Sequence, residues 1–95
     1  MKTLKKIASN MYEISEGRKD TFISYQSEVL TIDRDAQTIT LHAAWDYSPT
    51  TRKQRNKYLN RAGFTEIAPA SELKKAIKAG QFTLSNGLVY AVIMA

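Results

Sequence analysis

The segment from Trp45 to Phe64 constrains the fold of this chain most strongly, because it carries the start and stop signals of one helix. Ser48 followed by Pro49 fits an N-cap and a first helical position: the hydroxyl accepts a free backbone N–H, and proline's missing donor costs nothing there. Gly63 suits the position after a helix, which often takes a left-handed conformation. The sequence therefore predicts a helix over residues 48–62.

Spacings of three and four residues divide this helix into two faces. One face carries Thr51, Arg55, Tyr58, Leu59 and Ala62. The opposite face carries the cations Lys53, Lys57 and Arg61. Arg55 falls within the apolar arc, so we expect its stem to pack there while the guanidinium reaches solvent or pairs with Asp46.

Positive charge is concentrated in the same segment. The chain has 14 basic and 9 acidic residues, a net charge of +5. The segment holds five of the basic residues and has no acid between Asp46 and Glu66, so the other nine basic residues match the nine acids. The sequence therefore predicts that the whole excess lies on this helix, as an electrostatic footprint for an anionic partner.

Length and composition favour one domain over residues 1–95. The absence of cysteine excludes disulfides, thiolate metal sites and thiol chemistry. The amino terminus lacks the apolar core of a signal peptide, and the apolar run Leu88–Ala95 is shorter than the roughly 20 residues that a membrane-spanning helix needs. We expect a cytoplasmic protein without a membrane partner, a metal or a cofactor.

Strand patterns fill most of the first half. Alternating or β-branched runs predict strands at Met11–Ser15, Thr21–Tyr25, Glu28–Asp33 and Gln37–Ala43, the last two joined as a hairpin. Residues 2–9 are ambiguous between a helical turn and an extended entry. A second helix is predicted at residues 69–79, ended by Gly80, with Leu73, Ala76 and Ile77 facing the core.

The sequence Asn86-Gly87 predicts a carboxyl-terminal hairpin over residues 82–94. A two-residue loop would place Phe82 opposite Ala91 and leave Leu88, Tyr90 and Val92 on the second face. Apolar residues on both faces indicate a strand covered twice, or covered once by a partner. The expected fold is α+β: an antiparallel sheet of five to six strands packed with two helices.

Parts of the middle third resemble a known pattern. Ser24-Tyr25 with Val29, then the run Tyr47–Lys53 with Tyr58-Leu59, are similar to S-Y-x-x-x-V followed by Y-S-x-T-T-x-K-x-x-x-x-F-L. That pattern occurs in small uncharacterised proteins of Gram-positive phages and mobile elements. Gln54 stands where the pattern has histidine, and Tyr58 where it has phenylalanine. The resemblance implies an accessory protein in a bacterial host, and it carries no functional residue.

The first turn of the basic helix is the strongest candidate site. Free N–H groups, the positive end of the helix dipole and nearby hydroxyls can bind phosphate, and the cations can follow a nucleic-acid backbone. The candidate nucleic-acid or anion-binding residues are Ser48, Thr50, Thr51, Arg52, Lys53, Lys57 and Arg61. Five phosphate contacts would give a log–log salt slope of about −4 to −5 on duplex DNA. Alternatively, Ser48 is only an N-cap and the cations form a solvated face.

A second set of residues could form a protein interface. It comprises Arg55, Tyr47, Leu88, Tyr90 and Val92. Among the aromatic residues around the helix, Trp45 and Phe64 are expected in the core and Tyr47 as an exposed stacking platform. The carboxyl-terminal strand could also pair two copies into a homodimer.

Catalysis has little support in this sequence. His42, the one histidine, has no nucleophile motif beside it, and Asp33 and Asp35 flank a turn, where carboxylates cap backbone groups. We therefore expect a non-enzymatic accessory protein that binds nucleic acid through the helix from Ser48 to Arg61. The alternatives are a protein–protein module, which self-associates or inhibits a host protein, and a helix that binds an acidic protein surface.

Overall fold

The computed structural model describes residues 2–95, which form one seven-stranded sheet and two α-helices. The strands are β1 (Lys2–Ala8), β2 (Met11–Glu16), β3 (Lys19–Ser24), β4 (Ser27–Asp33), β5 (Thr38–Leu41), β6 (Gln81–Thr83) and β7 (Val89–Met94). The helices are α1 (Pro49–Arg61) and α2 (Ala70–Ala79), with a short 3-10 helix (Thr65–Ile67) between them. The α+β prediction is confirmed.

The strand order across the sheet is β1-β2-β3-β4-β5-β7-β6. Strands β1 to β5 form a simple antiparallel meander. The chain then leaves the sheet for the two helices and returns so that β7 lies parallel to β5, with Ile39 opposite Val92. Because β7 returns to pair with β5, the two helices between them lie over one face of the sheet.

Residues 2–8, which the sequence leaves ambiguous, form an edge strand. β1 pairs with β2 over six residue pairs, and Leu4 lies opposite Ile14. Its exposed lysines suit an edge, because charged side chains there discourage pairing with a further strand.

The core lies between the helices and one sheet face. Its strand residues are Met11, Phe22, Val29, Leu30, Ile32, Ile39, Leu41, Tyr90 and Val92. Its residues from α1, α2 and the segment between them are Tyr58, Leu59, Phe64, Ile67, Ala68, Leu73 and Ala76. As predicted, α2 buries Leu73 and Ala76 and ends at Gly80, whose φ of 78° is left-handed.

The register predicted for the carboxyl-terminal hairpin is wrong by one residue. Phe82 lies opposite Tyr90 rather than Ala91. The Leu84 N–H donates to the Leu88 carbonyl, so three residues form the loop and Gly87, at φ 91°, takes the left-handed position. A one-residue shift reverses both faces of a strand. The observed register buries Tyr90, whose ring stacks near Phe82 with a centroid separation of 5.8 Å.

Tyr58 fixes α1 to the sheet by two contacts. Its ring stacks on Phe22, with centroids 4.6 Å apart and an interplanar angle of 8°. Its hydroxyl donates to Glu13 Oε2 at 2.6 Å. Burial, and then the bond to Glu13, raises the pKa of the Tyr58 hydroxyl far above its ordinary value. The protonated hydroxyl is therefore part of the folded structure.

Replacing Tyr58 with Phe tests this attachment. We expect Tyr58→Phe to lower the free energy of unfolding by about 1.5 kcal/mol at neutral pH, because a hydrogen bond to a charged group is lost. The raised pKa favours folding below the unfolded tyrosine pKa of about 10, and that contribution is lost as pH rises further. The stability gap between the parent and Tyr58→Phe, measured by urea denaturation, should therefore narrow above pH 10.

The matched control is Tyr12→Phe, since Tyr12 lies on the other sheet face, half-buried. Its effect should stay within about 0.5 kcal/mol. A gap for Tyr58→Phe that did not change between neutral and alkaline pH would contradict the contribution of the Tyr58 hydroxyl.

Candidate functional site

The first turn of α1 is capped by its own side chains. Ser48 Oγ accepts the Thr51 N–H at 3.2 Å and lies 3.1 Å from the Thr51 hydroxyl. The Arg52 N–H donates to the Ser48 carbonyl, and Pro49 has no donor. Among the described residues 2–95, the amide of Thr50 has no hydrogen-bond partner, so in the first turn it can donate to an anion. The hydroxyls of Ser48 and Thr51 thus serve the cap first.

A groove of about 1070 Å³ runs along one side of this turn. Ala8 and Ser9, where β1 turns into β2, form one wall. The other wall is the start of α1, and the residues it contributes are Pro49, Thr50, Arg52, Lys53, Gln54, Asn56 and Lys57. The groove thus brings together four of the seven predicted anion-binding residues.

The remaining three lie elsewhere. Ser48 and Thr51 line a smaller pocket on another side of the first turn. Arg61 is exposed in the last turn of α1, beyond the groove. Lys53, Lys57 and Arg61 are all exposed, and none of the ion pairs formed within residues 2–95 involves them. The structure therefore presents the outer stripe of α1 to solvent.

Arg55 does not reach solvent, so the expectation of an outward guanidinium is wrong. The side chain is fully buried. Its Nη1 donates to the Trp45 carbonyl at 2.7 Å and lies 3.6 Å from Asp46 Oδ1, the partner that the sequence indicates. Arg55 Cζ lies 5.4 Å from the Trp45 ring centroid, and Nε has no hydrogen-bond partner. In this position Arg55 holds the entry to α1 and is not accessible to a partner.

Two effects act on the Arg55 charge. Burial lowers the pKa of its guanidinium, and the nearby Asp46 carboxylate opposes that effect. Arg52 shares the same carboxylate, with Nη1 3.5 Å from Asp46 Oδ1. Asp46 therefore compensates charge at the start of α1 and not along its outer stripe.

The prediction that the charge excess lies on one helix is wrong. Arg55 is buried, Arg52 is paired, and the unpaired cations are shared with other elements. Lys2, Lys5 and Lys6 of β1 are exposed and take part in none of the ion pairs seen in the described part of the chain. Because β1 ends at the groove wall, the positive surface extends from α1 towards the sheet edge.

The aromatic residues divide largely as expected. Phe64 is buried, Trp45 packs half-buried against the core, and Tyr47 is 81% exposed. Tyr25, predicted as the last residue of a strand, is 52% exposed and lines the same pocket as Tyr47. Tyr25 has a φ of 58° because it lies in the turn between β3 and β4, whereas the strand pattern predicts extended backbone at this position.

The apolar interface predicted on the carboxyl-terminal strand is wrong for two of its residues, because the hairpin register places them in the core. Tyr90 and Val92 belong to the core, at 4% and 9% exposure, and are not available to a partner. Leu88 remains exposed in the loop. The exposed apolar residues at this end of the chain are Leu88, Val89, Ile93 and Met94.

The residues that carry the sequence resemblance converge around α1. The Ser24 hydroxyl bonds to Gln54 Oε1, and Val29 and Leu59 lie in the core. Tyr58, with the hydroxyl that a phenylalanine would lack, bonds to Glu13. Much of this pattern thus describes how the helix is held on the sheet.

Other chemistry receives no support from the described residues. His42 is half-buried, and its Nε2 lies 2.8 Å from the Thr31 hydroxyl. Residues 2–95 contain no group of three or more His, Cys, Asp or Glu side chains placed to hold a metal ion. Across the same range, neither helix has the length and apolar character needed to cross a bilayer.

The chain belongs to a family of unknown function (DUF8033), whose model matches residues 1–78. The match includes β1 to β5, α1 and nearly all of α2, so it covers the groove and the outer stripe. No curated protein matches the chain, and no solved structure does.

Two conservative substitutions separate the roles of the paired arginines. Arg55→Lys should lower the free energy of unfolding by about 2 kcal/mol, because a lysine cannot reproduce the buried hydrogen bond to the Trp45 carbonyl and the contact with Asp46 together. Arg52 faces the same carboxylate from a half-exposed position, so Arg52→Lys should change the free energy of unfolding by less than about 0.5 kcal/mol. Urea denaturation measures both. Equal losses would contradict the structural role of Arg55.

Proposed function

We propose that this protein binds nucleic acid through the outer stripe of α1, defined by Lys53, Lys57 and Arg61, together with the groove beside it. The observation that carries the proposal is the outward position of these three cations, which have no carboxylate partner among residues 2–95. A row of cations on one rigid helix can follow a line of phosphates.

The groove adds a second line of support. Arg52, Lys53 and Lys57 line it from the helix, together with Thr50, whose amide has no bond within residues 2–95. An amide at the positive end of a helix dipole favours an anion, although one amide contributes less than a full set of free donors. These three cations thus favour an anionic ligand beside α1.

The number of accessible cations sets the expected salt dependence. With Arg55 buried, α1 supplies four contacts, from Arg52 and the outer stripe. Each phosphate contact on duplex DNA contributes about −0.9 to the log–log slope, so a slope of about −3 to −4 is expected. This slope is shallower than the one that five contacts would give.

Fluorescence anisotropy titrations of the full chain against labelled DNA, at several salt concentrations, test the proposal. The triple variant Lys53→Gln, Lys57→Gln, Arg61→Gln should weaken binding and make the slope about 2 to 3 units shallower. All three positions are exposed, so the fold should be retained.

The matched control removes the same charge from α2 by Lys74→Gln, Lys75→Gln and Lys78→Gln. These side chains are also exposed, so an effect of net charge alone would appear equally in both triple variants. Equal slopes for the two variants, or no binding tighter than roughly 100 μM by the parent chain, would contradict the proposal.

The biological setting that we propose comes from the sequence resemblance. Similarity to small proteins of phages and mobile elements supports a cytoplasmic accessory role in a bacterial host, without catalysis. In such a setting, binding to a nucleic-acid backbone requires no further cofactor.

A protein–protein function is the second candidate, and one observation favours it. Four apolar side chains are exposed at 42 to 49% near the end of the chain, namely Leu88, Val89, Ile93 and Met94. Val89 and Ile93 are four residues apart on β7 and so share one face of the strand, and exposed apolar patches often mark interfaces. If two copies associate there, light scattering should give a dimer for the parent and a monomer for Ile93→Lys. A strictly monomeric parent would exclude self-association through this surface.

A further inference from the structure

Two exposed tyrosines border one small pocket beside the first turn of α1. Tyr25 and Tyr47 line a cavity of about 130 Å³, which we call the tyrosine pocket. Its other lining residues are Ser24, Ser27, Ala44, Ser48 and Thr51. Four of these five carry hydroxyl groups, none of which is bonded to a tyrosine in the described part of the chain. Neither ring belongs to the core cluster.

The backbone fixes where each ring is displayed. Tyr25 occupies the β3–β4 turn with a left-handed φ of 58°, and its N–H donates to the Asn10 carbonyl at 2.8 Å. A bulky aromatic residue seldom adopts this conformation. Tyr47 directly precedes the N-cap of α1, and its N–H donates to the Ala44 carbonyl at 3.2 Å. Both rings are therefore presented outward by ordered turns.

The tyrosine pocket and the groove beside α1 have no lining residue in common but adjoin each other, because the Ser24 hydroxyl of the pocket donates to Gln54 Oε1 of the groove. Ser48 and Thr51 of the first turn line the pocket, while Pro49, Thr50 and Arg52 line the groove. The two rings thus lie on the surface next to the groove that would hold the phosphates of a bound strand. Aromatic platforms interleaved with cations are the arrangement that binds unpaired nucleotides.

We infer that Tyr25 and Tyr47 are stacking platforms for unpaired bases, so that the nucleic acid bound by this protein is single-stranded. This inference rests on the proposed function and specifies its ligand. The bases of a duplex already stack on one another and cannot reach the rings, whereas a single strand offers a base face at each step. Stacking on a ring tolerates any base, so little sequence preference is expected.

The test measures anisotropy with three labelled probes of equal length: oligothymidylate, oligouridylate and a DNA duplex. The variants are Tyr47→Ala and Tyr25→Gly, the latter chosen because glycine accepts the left-handed backbone at position 25. Each should weaken binding of a single strand by about 5- to 100-fold. The salt slope should not change, because no phosphate contact is removed.

Phenylalanine variants are the matched controls. Tyr47→Phe keeps the ring and should bind single strands within about threefold of the parent, a difference smaller than the loss of one stacked base. Thermal unfolding of each variant shows whether the fold is retained. The DNA and RNA arms identify which single strand is preferred, and preference for either supports the inference.

The outcomes separate this inference from the function on which it rests. Loss of single-strand affinity in Tyr47→Ala and Tyr25→Gly, with recovery in Tyr47→Phe, supports it. Parent binding that is as tight to the duplex as to the single strands, or that is unchanged in both ring-deleted variants, overturns it. If the triple variant Lys53→Gln, Lys57→Gln, Arg61→Gln still has a shallower salt slope than the parent in that case, the proposed function stands. Absence of binding to all three probes overturns both.

Discussion

The rotation of α1 about its own axis is fixed by polar bonds made inside the core, and the outward surface depends on that rotation. Tyr58 must reach Glu13, and Arg55 must reach the Trp45 carbonyl. Buried polar groups that lose their partners are costly, so only one orientation of the helix satisfies both residues. Since residues three or four apart share a face, this orientation also turns Lys53 and Lys57 towards solvent. The inner contacts thereby determine which charges a partner can meet.

The same helix was predictable because its signals are local. Ser48, Pro49 and Gly63 mark its ends within a few residues, and its spacing separates the buried face from the charged one. The role of Arg55 was less accessible, because the carbonyl that it binds comes from a turn whose path depends on β5. Arginine in an apolar arc is compatible with an outward or an inward guanidinium, and only the three-dimensional position of Trp45 decides between them.

The carboxyl-terminal hairpin illustrates a different limit. Asn86-Gly87 favours a two-residue loop, but a glycine also serves the left-handed position of a three-residue loop, so the dipeptide does not settle the register. The core settles it: Tyr90 packs edge-on against Phe64 at 5.1 Å, a contact that the alternative register would replace with Ala91. Parallel pairing of β7 with β5 is likewise non-local. Candidate sites that depended on these contacts changed, whereas the stripe on α1 kept its exposed position.

The structure relates two surfaces through a single turn. Cations lie on one side of the first turn of α1, and two exposed aromatic rings lie on the other. Neither surface alone identifies a ligand, since exposed lysines are common and isolated tyrosines need no explanation. The bond from Ser24 of the tyrosine pocket to Gln54 of the groove places the proposed phosphate path beside the proposed stacking platforms. The proposed interface leaves the uncovered sheet face free.

The most direct test of the central claim is to follow the backbone amide chemical shifts of the protein while a single-stranded oligonucleotide is added. Binding through the displayed face of α1 should move the amide signals of Thr50, Lys53 and Lys57 most, with those of Tyr25 and Tyr47 following. Changes confined to the uncovered sheet face or to the carboxyl-terminal strand would contradict it, as would a spectrum that does not change.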